Sequence, residues 1–283
     1  MKTDAEKKIT VVIPTFNEEI RLAEILKAYE KYANFIISDN HSTDNTQKVA
    51  EQYGAIFYKR AFPGAIVNVT DIKKTFDLSV TDWIANGSCS ELIPKDVFED
   101  FYENVLNTNY KAMHIERESY TYGKRTHKLP WSASNKIDSN LVRIFKKQYV
   151  DWDNSIIHNE TPVLIDIKDL YFCKSKSYHF RSGIPSFVER KIAGYADEEA
   201  LRNFEKGKRF GFIKMFLSAL WHSFKLLISN RSMAGFICAW HQFQITMNIY
   251  IRLFLLEKYS NLENVDIETN EFRQKLLDEY SNE

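Results

Sequence analysis

Three polar clusters in the sequence carry residue types suited to ligand binding and proton transfer. Pro14, Thr15, Asn17 and Glu18 directly follow an apolar run at 9–13. Asp39, His41, Ser42 and Asp44 follow a second apolar run at 35–37. Hydroxyls, amides and carboxylates at the ends of apolar runs stand where α/β folds take ligands, beyond the carboxyl ends of the strands. Further on, Asp153, His158 and Glu160 supply two carboxylates and an imidazole within eight positions. A carboxylate at the mouth of a sheet suits a general base. The imidazole titrates near neutrality and could be a base, a phosphate or metal partner, or a structural cap on a strand.

The elements that must position these groups follow from periodicity. Between the first two clusters, Leu22, Ile25, Leu26 and Tyr29 recur at helical spacing. Strand, turn, helix and strand make a βαβ unit with parallel strands and a right-handed crossover. A third strand is expected at 55–58, a helix at 98–105 and an edge strand with a polar rim at 112–116.

Composition narrows the class. The chain has 283 residues, enough for one large domain and an appendage, and 44% hydrophobic content supports a packed core. Lys+Arg and Asp+Glu both number 38, so no basic field argues for nucleic acid. Cys89, Cys173 and Cys238 are widely spaced and fit neither a zinc site nor a disulfide framework, which favours a reducing cytoplasm. The polar N-terminus is too short for a signal peptide. No window reaches 18 uncharged apolar residues, so no transmembrane helix is expected. Neither the dinucleotide glycine fingerprint nor a Walker A sequence is present.

The stretch 9–46 resembles family 2 glycosyltransferases of the GT-A fold. Val11, Val12, Ile13, Pro14, Phe16, Asn17 and Glu18 match their first-strand motif, and Asp39, Ser42, Asp44 and Thr46 match their second. Residues 140–164 resemble the R-L-F … V-H-E region of a subgroup that builds lipopolysaccharide core and other bacterial surface glycans. Arg143, Phe145 and His158 match, while Asn159 is inserted before Glu160. Lys191, Ile192 and Tyr195, then Glu205, Gly207, Lys208 and Arg209, resemble the basic-aromatic tail of the same subgroup. The resemblance implies an α/β fold, a mixed, mainly parallel sheet flanked by helices, with C-terminal amphipathic helices. A catalytic domain would span 1–200, with its nucleotide-sugar half at about 1–94 and its acceptor half at about 95–200. A helical segment would fill 201–283.

It also implies an inverting transfer from a nucleotide sugar, UDP-linked in most members, to a glycan or glycolipid acceptor. Asp39 would read the base, with Pro14, Thr15, Asn17, Glu18 and Ser42 framing the nucleoside. Lys73 or Lys74 would face the diphosphate as a point charge, unless they merely form a solvated helix face. Arg143 would clamp phosphate oxygens, or merely pair with a surface acid. Glu160, then Asp153, would be the general base. In the acceptor half, Tyr122, His127 and Trp131 could stack on sugar rings or belong to a surface loop.

One departure stands out. Where the family carries a metal-binding D-x-D, flanked here by Asp82, Trp83, Ile84, Glu91, Ile93 and Pro94, this chain has Ser88, Cys89 and Ser90. Serine hydroxyls are poor ligands for a hard cation beside carboxylates. Three readings follow: a metal-independent enzyme that uses Lys or Arg, weak Mn2+ or Mg2+ binding through Glu91 and His158, or a retired enzyme that still binds sugar nucleotide or glycan or scaffolds an assembly. Residues 209–228 and 236–256 place lysines beside aromatic and aliphatic residues, the profile of helices lying in an anionic membrane interface. Packing on the catalytic domain or on another subunit is the alternative. The expected location is therefore cytoplasmic and peripheral, on the inner face of the membrane.

Overall fold

The computed structural model describes residues 7–63, 69–126, 141–152, 163–181 and 185–281. It divides into two compact units, Met1–Arg181 and Ser182–Glu283.

The first unit opens with β1 (Ile9–Thr15), α1 (Glu19–Tyr29) and β2 (Ala33–Asp39). Leu22, Ile25, Leu26 and Tyr29 are the buried residues of α1, one stripe at i, i+3, i+4 and i+7. Next come α2 (Thr46–Gln52), β3 (Ile56–Lys59), α3 (Val69–Asp77) and β4 (Trp83–Asn86). A short β5 (Glu91–Leu92) leads to α4 (Lys95–Asn104), which begins directly after Pro94. The remaining strands are β6 (Ala112–His114), β7 (Arg117–Thr121), β8 (Lys124–Thr126), β9 (Val142–Lys146), β10 (Leu170–Phe172) and β11 (Ser177–Arg181).

The main sheet has the order β10-β6-β9-β4-β1-β2-β3, and β9 is antiparallel to both its neighbours. The other pairings are parallel, β1 with β2 in register from Ile9↔Ala33 to Thr15↔Asp39. This is the mixed, mainly parallel sheet that the resemblance implies. Ile9, Val11 and Ile13 face a layer with Leu22 and Leu26 of α1 and Phe98 and Phe101 of α4. Val12 and Ile84 face the other way, with Phe76 of α3. Strands covered on both sides read as continuous apolar runs, as 9–13 does.

One expectation is corrected here. β6 is not an edge strand, because β10 pairs outside it from Leu170↔Ala112 to Phe172↔His114. A second, four-stranded sheet, β5-β11-β7-β8, follows the loop that replaces the D-x-D.

The second unit is helical: α5 (Pro185–Glu205), α6 (Phe212–Ser229), α7 (Met233–Tyr259) and α8 (Ile267–Ser281). Both α5 and α6 pack along α7. The units part ahead of α5, whereas the sequence puts the change near residue 200; α5 belongs with α7. The turn between α6 and α7 is tight: a Cβ on Gly235 would stand 1.7 Å from the Asn230 carbonyl oxygen. Ser232 caps α7 by accepting from the Gly235 amide at 3.1 Å.

Candidate functional site

The polar clusters of the first two strands meet at the carboxyl end of the sheet. Register brings Thr15 beside Asp39. The buried Asp39 carboxylate accepts from the Thr15 hydroxyl at 2.9 Å, the Ser42 amide at 2.8 Å and the Ser42 hydroxyl at 2.5 Å. Ser42 Oγ in turn accepts from the Asn17 amide at 2.8 Å, and Asn17 Oδ1 accepts from the Thr43 amide at 2.8 Å. Asp44 accepts from the Glu19 amide at 3.1 Å and the Thr46 amide at 3.0 Å, while Thr46 Oγ1 accepts from the Glu18 amide at 3.0 Å. The two motifs therefore weld one loop to the other. Asn17 and His41 both lie in the left-handed region, with φ of 54° and 61°. Such backbone is uncommon outside glycine and concentrates at functional sites.

Two residues that sequence reasoning missed support this cradle from behind. Arg60, just past β3, is buried; its amide donates to the Asp39 carbonyl at 2.9 Å and its Nε to the Ser38 carbonyl at 3.4 Å. Burial pulls its pKa below the usual arginine value, opposed by the charges of Asp71 and Asp39. Asp71, fully buried on α3, accepts from the Tyr58 hydroxyl at 2.6 Å and from the Ala61 amide at 3.0 Å. Asp71 stands four positions before Thr75 on the buried face of α3, and a buried acid needs fixed donors.

The loop between β4 and β5 holds Ser88, Cys89 and Ser90. Ser88 and Ser90 hydroxyls lie 2.9 Å apart and bond each other, and the Ser90 carbonyl accepts from the Phe180 amide at 2.7 Å. Gly87 seats the loop on β1: its amide donates to the Val12 carbonyl at 2.9 Å, and an added Cβ would meet Val11 Cγ1 at 2.6 Å. Burial, and then the charge of Glu18, pushes the Cys89 thiol up to about 12, so it stays protonated.

Glu91 and Arg143 are both buried and bond each other at 2.8 Å. Ser177 Oγ donates to the other Glu91 oxygen at 2.7 Å. The pair ties β5, β9 and β11 together, so the Glu91 carboxylate is turned to a guanidinium rather than held open for a cation. Among the described residues no three His, Cys, Asp or Glu side chains stand together as a metal site. The described part of the donor set, two mutually bonded hydroxyls and a neutralised acid, does not fit a hard divalent ion, and His158 lies outside the described residues.

Of the other candidates, Lys73 and Lys74 lie exposed on α3, opposite its buried face. Tyr122 sits at the β7–β8 turn with φ of 52° and is 39% exposed. Asp153, His158 and Glu160, the expected base candidates, lie outside the described residues, as do His127 and Trp131. The structure thus brings together Thr15, Asn17, Glu18, Asp39 and Ser42, places Pro14 exposed between them, and sets Ser88 and Ser90 on the next strand end.

A family model described as glycosyl transferase family 2 matches residues 10–165, more than half of the 283 residues. A relative named uncharacterized glycosyltransferase from Rickettsia typhi is 23% identical over 80% of this chain and 78% of its own length. Among solved structures, S. aureus TarS in complex with UDP-GlcNAc is similar with a TM-score of 0.49 at 12% identity, covering 87% of this chain and 90% of that one. Glucosyl-3-phosphoglycerate synthase from Mycobacterium tuberculosis, crystallised with Mn2+, UDP and glucosyl-3-phosphoglycerate, has a TM-score of 0.48 at 14% identity, covering 72% of this chain and 82% of that one.

Proposed function

The chain belongs to glycosyl transferase family 2 and is a glycosyltransferase; on that premise we propose an inverting transfer from a UDP-linked sugar to a lipopolysaccharide, capsule or other surface-glycan acceptor, without a divalent metal. The observation that carries the metal-free part is the Ser88–Ser90 loop backed by the Glu91–Arg143 pair. Carboxylates that would normally anchor a cation under the diphosphate are replaced by hydroxyls bonded to each other at 2.9 Å.

In this reading Asp39, fixed by Thr15 and Ser42, recognises the base, with Pro14, Asn17 and Glu18 framing the nucleoside. A base, Glu160 first and Asp153 or His158 in reserve, takes the proton of the acceptor hydroxyl. The hydroxyl oxygen attacks the anomeric carbon on the face opposite the diphosphate. The bond from that carbon to the phosphate oxygen breaks, and its electron pair leaves with the UDP. Hydroxyl donors from Ser88 and Ser90 and the ammonium of Lys73 offset the charge on the leaving oxygens. The acceptor places the enzyme on the inner face of the cytoplasmic membrane, as a monomer or an oligomer.

The test is turnover and binding across a panel of nucleotide sugars with an acceptor extract, in manganese and in chelator. Turnover that survives chelator is expected. Turnover only with manganese would overturn the metal-free mechanism and move the ligand role to Glu91 and His158. Donor binding with no turnover in either condition would favour the second reading, a retired transferase that keeps its nucleotide cradle, for which the missing D-x-D also speaks.

A further inference from the structure

The helical unit carries a surface that the transfer reaction does not use. In α6 the residues turned inward form a narrow strip, with Met215 and Ala219 buried. The residues turned outward are apolar: Leu217, Leu220, Trp221 and Phe224 are 55–63% exposed. At about 100° per residue the outward apolar positions of α6 fill roughly half the helix wheel. A water-facing helix has the opposite arrangement. An open groove of about 1020 Å³ runs along this face from Phe212 past Trp221 to Tyr250 of α7.

Charge names the occupant. From residue 206 to residue 256 the sequence contains no aspartate or glutamate, yet it contains Lys206, Lys208, Arg209, Lys214, Lys225 and Arg231. The whole chain is neutral, so positive charge is concentrated beside this apolar face. We propose that the outward face of α6 docks on an anionic lipid bilayer, lying in the plane of its interface. A second copy fits less well, since a two-fold contact through this face would set the same cations against one another. Trp221 supports the interface: Lys225 Nζ lies 4.8 Å over its ring, so the lysine stem follows the apolar surface and the ammonium reaches its rim. Aromatic rings and snorkelling lysines are the residues that settle at the headgroup level.

Phe212–Ser229 is long and apolar enough to cross a membrane by length and composition, with mean hydropathy 1.2. Its 18 residues span about 27 Å, short of a hydrocarbon core of about 30 Å. Lys214 and Lys225 lie three turns apart on nearly the same edge of the helix, as an in-plane helix requires and a spanning one does not.

This inference deepens the membrane location in the proposed function and depends on it only for the identity of the compartment. The test is co-sedimentation of the full chain with vesicles of phosphatidylcholine containing phosphatidylglycerol, against phosphatidylcholine alone, with donor hydrolysis assayed separately. The chain should pellet with the anionic vesicles and be released by salt. Lys214→Glu and Lys225→Glu should each lower partitioning by at least roughly fivefold. Leu217→Glu with Trp221→Glu should abolish it while leaving the thermal midpoint unchanged, because both side chains are exposed. A chain that stays in the supernatant with anionic vesicles at low salt overturns the proposal. So does a double variant that still pellets as the wild type does. A concentration-dependent dimer, seen by sedimentation velocity and lost in the same variant without any vesicle binding, would give the face to a second copy instead. Loss of hydrolysis with vesicle binding intact would strike the transfer reading and leave this one standing.

Discussion

At the scale of the residue, Arg143 is the sharpest case. Its motif suggests a phosphate clamp, but its guanidinium is buried against Glu91, with side-chain exposures of 8% and 3%. A buried pair gives little net stability, yet removing one partner strands a charge. Glu91 would keep the more distant Arg117, 3.7 Å away, so Arg143→Met should cost about 3 kcal/mol, the low end for a broken buried pair. Adding Glu91→Leu should recover most of the loss, since apolar replacement of both partners is often neutral. Urea unfolding of the three variants measures this directly. A phosphate clamp would behave otherwise: Arg143→Met would keep its unfolding midpoint and lose affinity for UDP in calorimetry.

At the scale of the element, the Ser88–Ser90 loop depends on how closely β4 passes β1. A Cβ on Gly87 would lie 2.6 Å from Val11 Cγ1 and 2.9 Å from Ile13 Cγ1. Both neighbours are β-branched, fully buried and confined to few rotamers, so neither can yield cheaply. Gly87→Ala should destabilise by about 1–3 kcal/mol and lower turnover by shifting the serines; unchanged melting and kinetics would mean the loop is set elsewhere. The same scale explains what the sequence made legible. The stripe Leu22, Ile25, Leu26 and Tyr29 is a local period, and it is the buried face of α1. The polar residues after β1 and β2 were legible because the end of a parallel strand is a fixed place. Position in the sheet was not legible, because β6 becomes interior only through β10, three residues long and more than fifty positions away. The Glu91–Arg143 pair is hidden for the same reason: its partners are 52 residues apart and no periodicity joins them. Arg60 and Asp71 went unread because Asp71 acts on Arg60 and on the Ala61 amide only once residues 60–62 lie against α3.

At the scale of the whole molecule, carboxylates fixed by neutral donors set how the fold meets acid. Asp44 is pushed up by burial, but the Thr46 hydroxyl and the Glu19 and Thr46 amides outweigh this and hold its pKa below the usual aspartate value. Asp100 behaves alike: burial raises it, and the Tyr171 hydroxyl, the Asn104 amide and the Cys173 thiol bring it down. A carboxylate with a lowered folded pKa adds stability that is present in full above its unfolded pKa and is lost as pH falls through the folded value. Lys111, raised mainly by its bond to Asp169, and Tyr58, raised by its bond to Asp71, act with the opposite sign, and their contributions fade only as pH rises through their folded values. Burial holds the His222 and His241 imidazoles below the usual histidine value, so the thermal midpoint should begin to ease below about 6.5 and fall more steeply below about 4, the usual aspartate range. Asp44→Asn should lower the plateau and flatten the acid limb, because the asparagine no longer titrates. Asp44 bridges the loops after β1 and β2, so affinity for UDP should fall along the same limb. A midpoint that drops while nucleotide affinity holds would assign the acid sensitivity to Asp100, whose partners lie on α4 and around β10, and would leave the loops after β1 and β2 intact in acid.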